Sequence, residues 1–232
     1  YPQRRRDDGR WYAADFTLEE IRTLRAHERL ESRFPQDRGA FSVPTFQEMI
    51  DLVQGLESTT GRSIGIYPEL KAPGWHREQG LPMEEPFLAV VRERGYRGPE
   101  ARIFVQSFEP ESLRRLRAAG SELPQVLLLA DEDSSAPWLG DDGLSAVREI
   151  ADGIGPAKAL LERDENLVAR AHDAGLVVHP YTFRADDLPA GTPSFEAELE
   201  RYLSKLRVDG LFTDFPDRAR QWLDREFPAG GS

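Results

Sequence analysis

From Ser63 onward the sequence alternates short apolar runs with amphipathic ones, and this alternation constrains the fold more than any other feature. Apolar runs occupy 64–70, 102–106 (RIFVQ), 125–129 (QVLLL), 152–155 (DGIG), 176–180 (LVVHP) and 209–213 (DGLFT). Each leads into a helical pattern, near 84–94, 110–119, 144–150, 164–174, 194–206 and 217–225, the first two ended by Gly95 and Gly120. Six strand-then-helix units in succession predict a parallel sheet. Upstream, Thr17 with Glu20 forms a capping-box signature at the start of a helix. Pro44-Thr45 opens a second helix carrying Phe46, Met49, Ile50 and Val53 on one face. The basic stretch 1–14 reads as a solvated loop or tail. The Asp-rich stretch 130–143 lacks the ligand spacing of a calcium loop and reads as a solvated loop too.

Composition narrows the function classes. The chain has 232 residues, 39% of them hydrophobic, enough for one sizeable core, and 1–232 is read as a single domain. A net charge of −11 argues against general nucleic-acid binding. An anionic substrate would therefore need locally placed cations or a metal. There is no Cys, which is compatible with an oxidising compartment. No apolar run is long enough to span a membrane. The chain opens on Tyr1 rather than Met, so the reading expects a preceding segment that was removed, processed or never recorded.

The chemistry concentrates at Ser63–Gly80. Ile64, Ile66 and Leu70 build a buried strand, with Glu69 and Lys71 at its C-terminal end before the break at Ala72-Pro73-Gly74. Charges at the mouth of a buried strand cost desolvation energy and usually have a task. Alternation puts both on one side of the strand, where they suit a metal ion and an anionic oxygen such as a phosphate. Gln106, Ser107, His179, Tyr181 and Asp214 also fall at or just beyond strand C-terminal ends, the face that carries the site in parallel α/β folds.

The strings DFTLEE (15–20), VPTFQEMIDL (43–52), GIYPELKAP (65–73), VQSFEP (105–110), DGIGP (152–156), AHDAGLVVHPYTFR (171–184) and DGLFTDFPD (209–217) resemble the glycerophosphodiester phosphodiesterase family, periplasmic type, from about Asp15 to Pro216. The resemblance implies a TIM (β/α)8 barrel that hydrolyses glycerophosphodiesters to glycerol 3-phosphate and an alcohol. It also implies a divalent metal, calcium or else magnesium, and a periplasmic or secreted location. Glu69 matches the family's metal-binding glutamate, and Lys71 the lysine facing the phosphate. Tyr181 matches the aromatic residue over the glycerol, and Gln106 joins Lys71 and Tyr181 as a substrate-binding candidate. The family's His-Arg-Gly, Glu-x-Asp and catalytic His-Asp motifs have no counterpart, so no catalytic residue is carried over. His172 precedes Asp173 but lies in a predicted helix. The expectation is an incomplete barrel of about six of eight strands, the first two missing, with weak metal binding because one carboxylate cannot supply the oxygens calcium prefers.

Plainer readings stand beside these. Glu69 and Lys71 could form a structural ion pair, and periodicity alone does not choose. Gln106 could line a site or tie down loops. His179 reads as a satisfied near-core imidazole, Asp214 as a cap for the last helix, Trp75 and His76 as an exposed loop, and Phe16, Phe46, Phe104 and Phe212 as core. The rival to an enzyme is a non-catalytic relative that binds phosphodiesters or a partner protein. A more distant rival is a (β/α) aldolase with Lys71 as Schiff-base nucleophile, which the specific strings disfavour. The substrate is a small molecule, and oligomeric state is not read from sequence.

Overall fold

The computed structural model describes residues 1–28, 30, 32–33 and 41–228. It comprises two compact units, residues 1–66 with 73–95, and residues 67–72 with 96–232.

The first unit is helical. Its helices are α1 (Leu18–Thr23), α2 (Phe46–Thr60), α3 (Pro73–Glu78) and α4 (Glu84–Glu93). Thr17–Glu20 and Thr45–Glu48 form the two reciprocal capping boxes at the starts of α1 and α2. Gly61 ends α2 at φ +67, a left-handed position that glycine adopts without penalty. Phe46 stacks on Phe87, joining α2 to α4 at 5.4 Å between ring centroids. Two expectations change here. Trp75 and His76 lie in α3 rather than in a loop, with Trp75 stacked on Tyr12. The basic stretch 1–14 is tied down: Arg6 donates two hydrogen bonds to Asp15, at 2.8 and 2.7 Å, and stacks over Tyr12 and Trp75.

The second unit is the α/β part. Strands β1 (Val105–Ser107), β2 (Gln125–Leu129), β3 (Gly153–Pro156) and β4 (Val177–Val178) pair in that order, all parallel. Parallel neighbours need crossovers, and helices supply them. These are α5 (Pro110–Ala118), then α6 (Glu132–Leu139) and α7 (Asp141–Arg148), then α8 (Lys158–Arg163) and α9 (Asn166–Asp173). After β4 come α10 (Phe195–Leu199), which runs into a π-helical turn at Glu200–Lys205, and α11 (Pro216–Glu226). Val105, Val126, Leu127, Ile154 and Val178 form the buried sheet interior, and Leu113, Leu116, Leu144, Val147, Leu161 and Val168 cover it from the helices.

The two outermost expected strands are shorter than their apolar runs. The 64–70 run holds only isolated bridges, at Ile66 and at its end, where the Gln106 backbone accepts from the Leu70 N–H and donates to the Pro68 carbonyl, both at 3.0 Å. The 209–213 run pairs through a single parallel bridge, Phe183 with Thr213. The order of extended segments is nonetheless the order in sequence, and among the described residues the sheet does not close on itself. It is an α/β fold with the order of an incomplete (β/α)8 barrel, as expected.

The acidic stretch 130–143 is not a loop. Asp131 caps α6 by accepting from the Ser134 N–H, with Glu132 and Asp133 in the first turn, and Asp141 and Asp142 open α7. The acids are dense because two helix N-termini follow in quick succession, and the dipole favours negative charge at each.

Candidate active site at the strand C-termini

Period-two alternation builds the site in layers. Residues 67, 69 and 71 share one side of their segment, as do 104, 106 and 108 on β1 and its flanks. The lower layer is aromatic. Tyr67 packs against Phe104 at 5.1 Å and Phe212 at 4.7 Å, with the His179 ring edge-on to both Tyr67 and Phe104. The Tyr67 hydroxyl and His179 Nδ1 share a hydrogen bond of 2.9 Å. Burial raises the Tyr67 phenol and lowers the His179 imidazole, the latter opposed by the Asp209 carboxylate. His179 is therefore a buried, neutral imidazole that holds Tyr67. It does not line the cavity above.

The upper layer is polar and opens into a cavity of about 340 Å³ lined by Glu69, Lys71, Gln106, Tyr181 and Asp214, with Phe108 and Phe212 as apolar walls. All four sequence-derived site residues, Glu69, Lys71, Gln106 and Tyr181, thus meet in one place. Lys71 Nζ donates to Glu69 Oε2 at 2.7 Å, so the pair forms the ion pair that periodicity left open. The Glu69 side chain is 18% exposed and that of Lys71 76%, which leaves the ammonium with room to meet an incoming anion. Gln106 is buried, its backbone is in the sheet, and its side-chain Oε1 has no partner among the described residues. The loop-tying reading gives that oxygen nothing to do. The Tyr181 hydroxyl donates to the Leu129 carbonyl at 3.1 Å. Burial, with the Glu69 and Asp131 carboxylates nearby, pushes its phenol up to about 12, so it stays neutral at physiological pH. Its ring meets Phe108 edge-on.

Asp214 corrects the capping assignment. The N-cap of α11 is Phe215, with no side-chain cap there, while Asp214 accepts from Arg184 Nε at 2.9 Å and lines the cavity. Sequence reasoning also missed Phe108, Thr182 and Thr213, and it read Phe212, a wall of the cavity, as core. Their position two residues beyond a recognised inward-facing residue, or next to one, was the available signal.

Two of the other three histidines have partners away from the cavity. His172 pairs with Asp209 at 2.9 Å from α9, and His76 sits in α3 against Trp75. Among the described residues none of the cavity-lining side chains is a histidine, and no group of three His, Asp or Glu converges so as to hold a metal ion. The Glu69 carboxylate is engaged by Lys71, so the donor set present does not complete a divalent-metal site.

The fold and this site define a protein of the TIM-barrel class with a polar cavity at the C-terminal ends of its parallel strands. Residues 4–218 match the glycerophosphoryl diester phosphodiesterase family, and the chain belongs to that family of enzymes. It is 31% identical to a glycerophosphodiester phosphodiesterase of Haemophilus influenzae, over 96% of this chain and 73% of that protein. It is 32% identical to the glycerophosphodiester phosphodiesterase GDPD6 of Arabidopsis thaliana, over 94% and 66% of the respective chains. Among solved structures, a glycerophosphodiester phosphodiesterase from Parabacteroides distasonis superposes with a TM-score of 0.61 at 15% identity, covering 90% of this chain and 71% of that one. That similarity shows the fold.

Proposed function

We propose that the cavity binds the glycerol-phosphate end of a glycerophosphodiester, for hydrolysis to glycerol 3-phosphate and an alcohol. The observation that carries this reading is the buried, unpartnered Gln106 Oε1 in the same cavity as the exposed Lys71 ammonium. A phosphate takes the cation, a glycerol hydroxyl donates to Gln106, and the Phe108 and Tyr181 rings cover the carbon chain. Desolvating an acceptor without a partner is unfavourable, so a donor from the ligand gains what the protein leaves unmade. An Oleispira antarctica phosphodiesterase of similar fold, with a TM-score of 0.58 at 16% identity, has been solved with sn-glycerol 3-phosphate. This supports the choice of probe.

Lys71 would stabilise charge developing on the phosphoryl oxygens. The divalent ion that the family resemblance implies, calcium or magnesium, would need oxygen ligands beyond Glu69, and no step is assigned to it. A periplasmic or secreted location belongs to the same reading; no helix among the described residues is long and apolar enough to cross a membrane. The second reading is binding without turnover, favoured by the lack of a histidine among the described residues lining the cavity. Calorimetric titration with sn-glycerol 3-phosphate tests the site. Saturable binding that weakens in both Lys71→Ala and Gln106→Leu supports it, and binding indifferent to both removes it. Glycerol 3-phosphate release from glycerophosphocholine then separates the two readings.

A further inference from the structure

A second cavity, of about 500 Å³, lies in the α/β unit between the 189–193 loop and the run from α10 into the π-helical turn. Glu198 and Tyr202, one turn apart, both line it and are 2% and 0% exposed. The Glu198 carboxylate accepts from Lys158 Nζ at 2.5 Å through one oxygen, and its other oxygen, Oε2, has no partner among the described residues. Nor has the Tyr202 hydroxyl. Two buried polar atoms without partners on one cavity are costly to leave unmade. The π-helical turn that carries Tyr202 adds weight, since such turns occur frequently at functional sites.

We propose that this cavity is a binding site for a small neutral polyhydroxylated molecule of sugar or cyclitol size. Charge selects the class. The lining carries Glu165 and Glu198 against Arg201 and Lys205, so neither an anion nor a cation is favoured overall. Glu198 Oε2 can only accept, and the Tyr202 hydroxyl can donate or accept, which suits adjacent hydroxyls of one ligand. Pro189 and Pro193 offer apolar surface to the ligand's C–H face. The Arg201 guanidinium lies 5.6 Å from the Tyr202 ring centroid and is held by Glu165 at 2.7 Å. Its side chain is 40% exposed, so this lining residue is free to move as a ligand enters.

The test is saturation-transfer NMR on the intact chain with myo-inositol and glucose as probes, and ethanolamine and inorganic phosphate as charged controls. Saturable polyol binding is expected, about tenfold weaker or lost in Tyr202→Phe, the scale of losing a buried hydrogen bond. It should weaken also in Ala197→Leu, which narrows the cavity, and be kept in Lys71→Ala. Tyr202→Phe removes a hydroxyl that has no partner among the described residues, so a thermal melt no lower than the parent's is expected and guards against misfolding. No saturable polyol signal would mean that the cavity holds only water, and the proposal would fall. It would fall equally if Tyr202→Phe bound as well as the parent, if Lys71→Ala abolished binding, or if a charged control bound more tightly than the polyols.

Discussion

At the residue scale, the Glu69 carboxylate and an incoming anion compete for the Lys71 ammonium. An anion approaching Lys71 meets the Glu69 carboxylate already seated 2.7 Å from the ammonium. In the absence of divalent cations, Glu69→Gln should therefore tighten inorganic phosphate binding, by about 1 kcal/mol or roughly fivefold for so exposed a partner. Lys71→Ala should weaken it by a comparable amount. Phosphate titrations in chelator decide this, and weakening by both variants would mean that Glu69 does not oppose the anion. His179 makes a separate prediction. Burial lowers its imidazole below its ordinary 6.5, so protonation favours the unfolded chain. Its contribution is complete above pH 6.5 and is lost as pH falls below that value toward the depressed folded one. Urea midpoints measured between pH 7.5 and 5.5 should fall, and the slope should flatten in His179→Gln. Equal slopes would show that another group titrates. Chain position placed Glu69, Lys71 and Tyr181 at strand C-terminal ends, and the family resemblance singled them out from the other residues there. Asp214 was misassigned because its partner, Arg184, is distant in sequence.

At the scale of elements, the corner between α6 and α7 is the most instructive. A Cβ on Gly143 would lie 2.3 Å from the Pro137 carbonyl oxygen and 2.8 Å from the Trp138 Cα. Gly143→Ala gains helix propensity of about 1 kcal/mol. Backbone atoms cannot step aside cheaply, and forced overpacking costs about 1–3 kcal/mol. Net destabilisation of up to about 2 kcal/mol is expected, and a thermal melt that rises instead would refute the close approach. The capping box of α2 makes a simpler case: Thr45→Ala should cost about 1 kcal/mol, read as a lower urea midpoint. The Thr17–Glu20 capping box was legible because its partners are local, while the equally local Thr45–Glu48 box was read only as a helix start. Helix α6 was not legible, and α7 was expected only from 144 on, because the same acids that suggest a polar loop are also what helix N-termini prefer.

For the molecule as a whole, the sheet ends in short, singly bridged segments at 68–70 and 212–213. Exposed sheet edges invite pairing with other chains. Leu52, Leu56 and Leu81 add exposed apolar surface in the helical unit. Concentration-dependent self-association of residues 1–232 is therefore expected in sedimentation experiments; a strictly monomeric chain across the accessible range would contradict it. The activity prediction belongs at this scale as well. Without a general acid or base lining the cavity among the described residues, turnover of glycerophosphocholine should fall at least about a hundredfold below that of a complete relative. Turnover equal to such a relative would make His76, His172 and His179 the first side chains to mutate.

Sequence by itself determined the order of elements, the parallel sense of the sheet and the strand ends at which Glu69, Lys71, Gln106 and Tyr181 would gather. Those properties follow from local periodicity and from the short reach of strand–helix units. Only the tertiary structure decided that Lys71 spends its charge on Glu69, that Gln106 presents an unsatisfied oxygen, that Asp214 faces the cavity, and that a second cavity forms around Glu198 and Tyr202. Those outcomes depend on which side chains from distant segments arrive within hydrogen-bonding distance, and no spacing along one strand or helix encodes that distance.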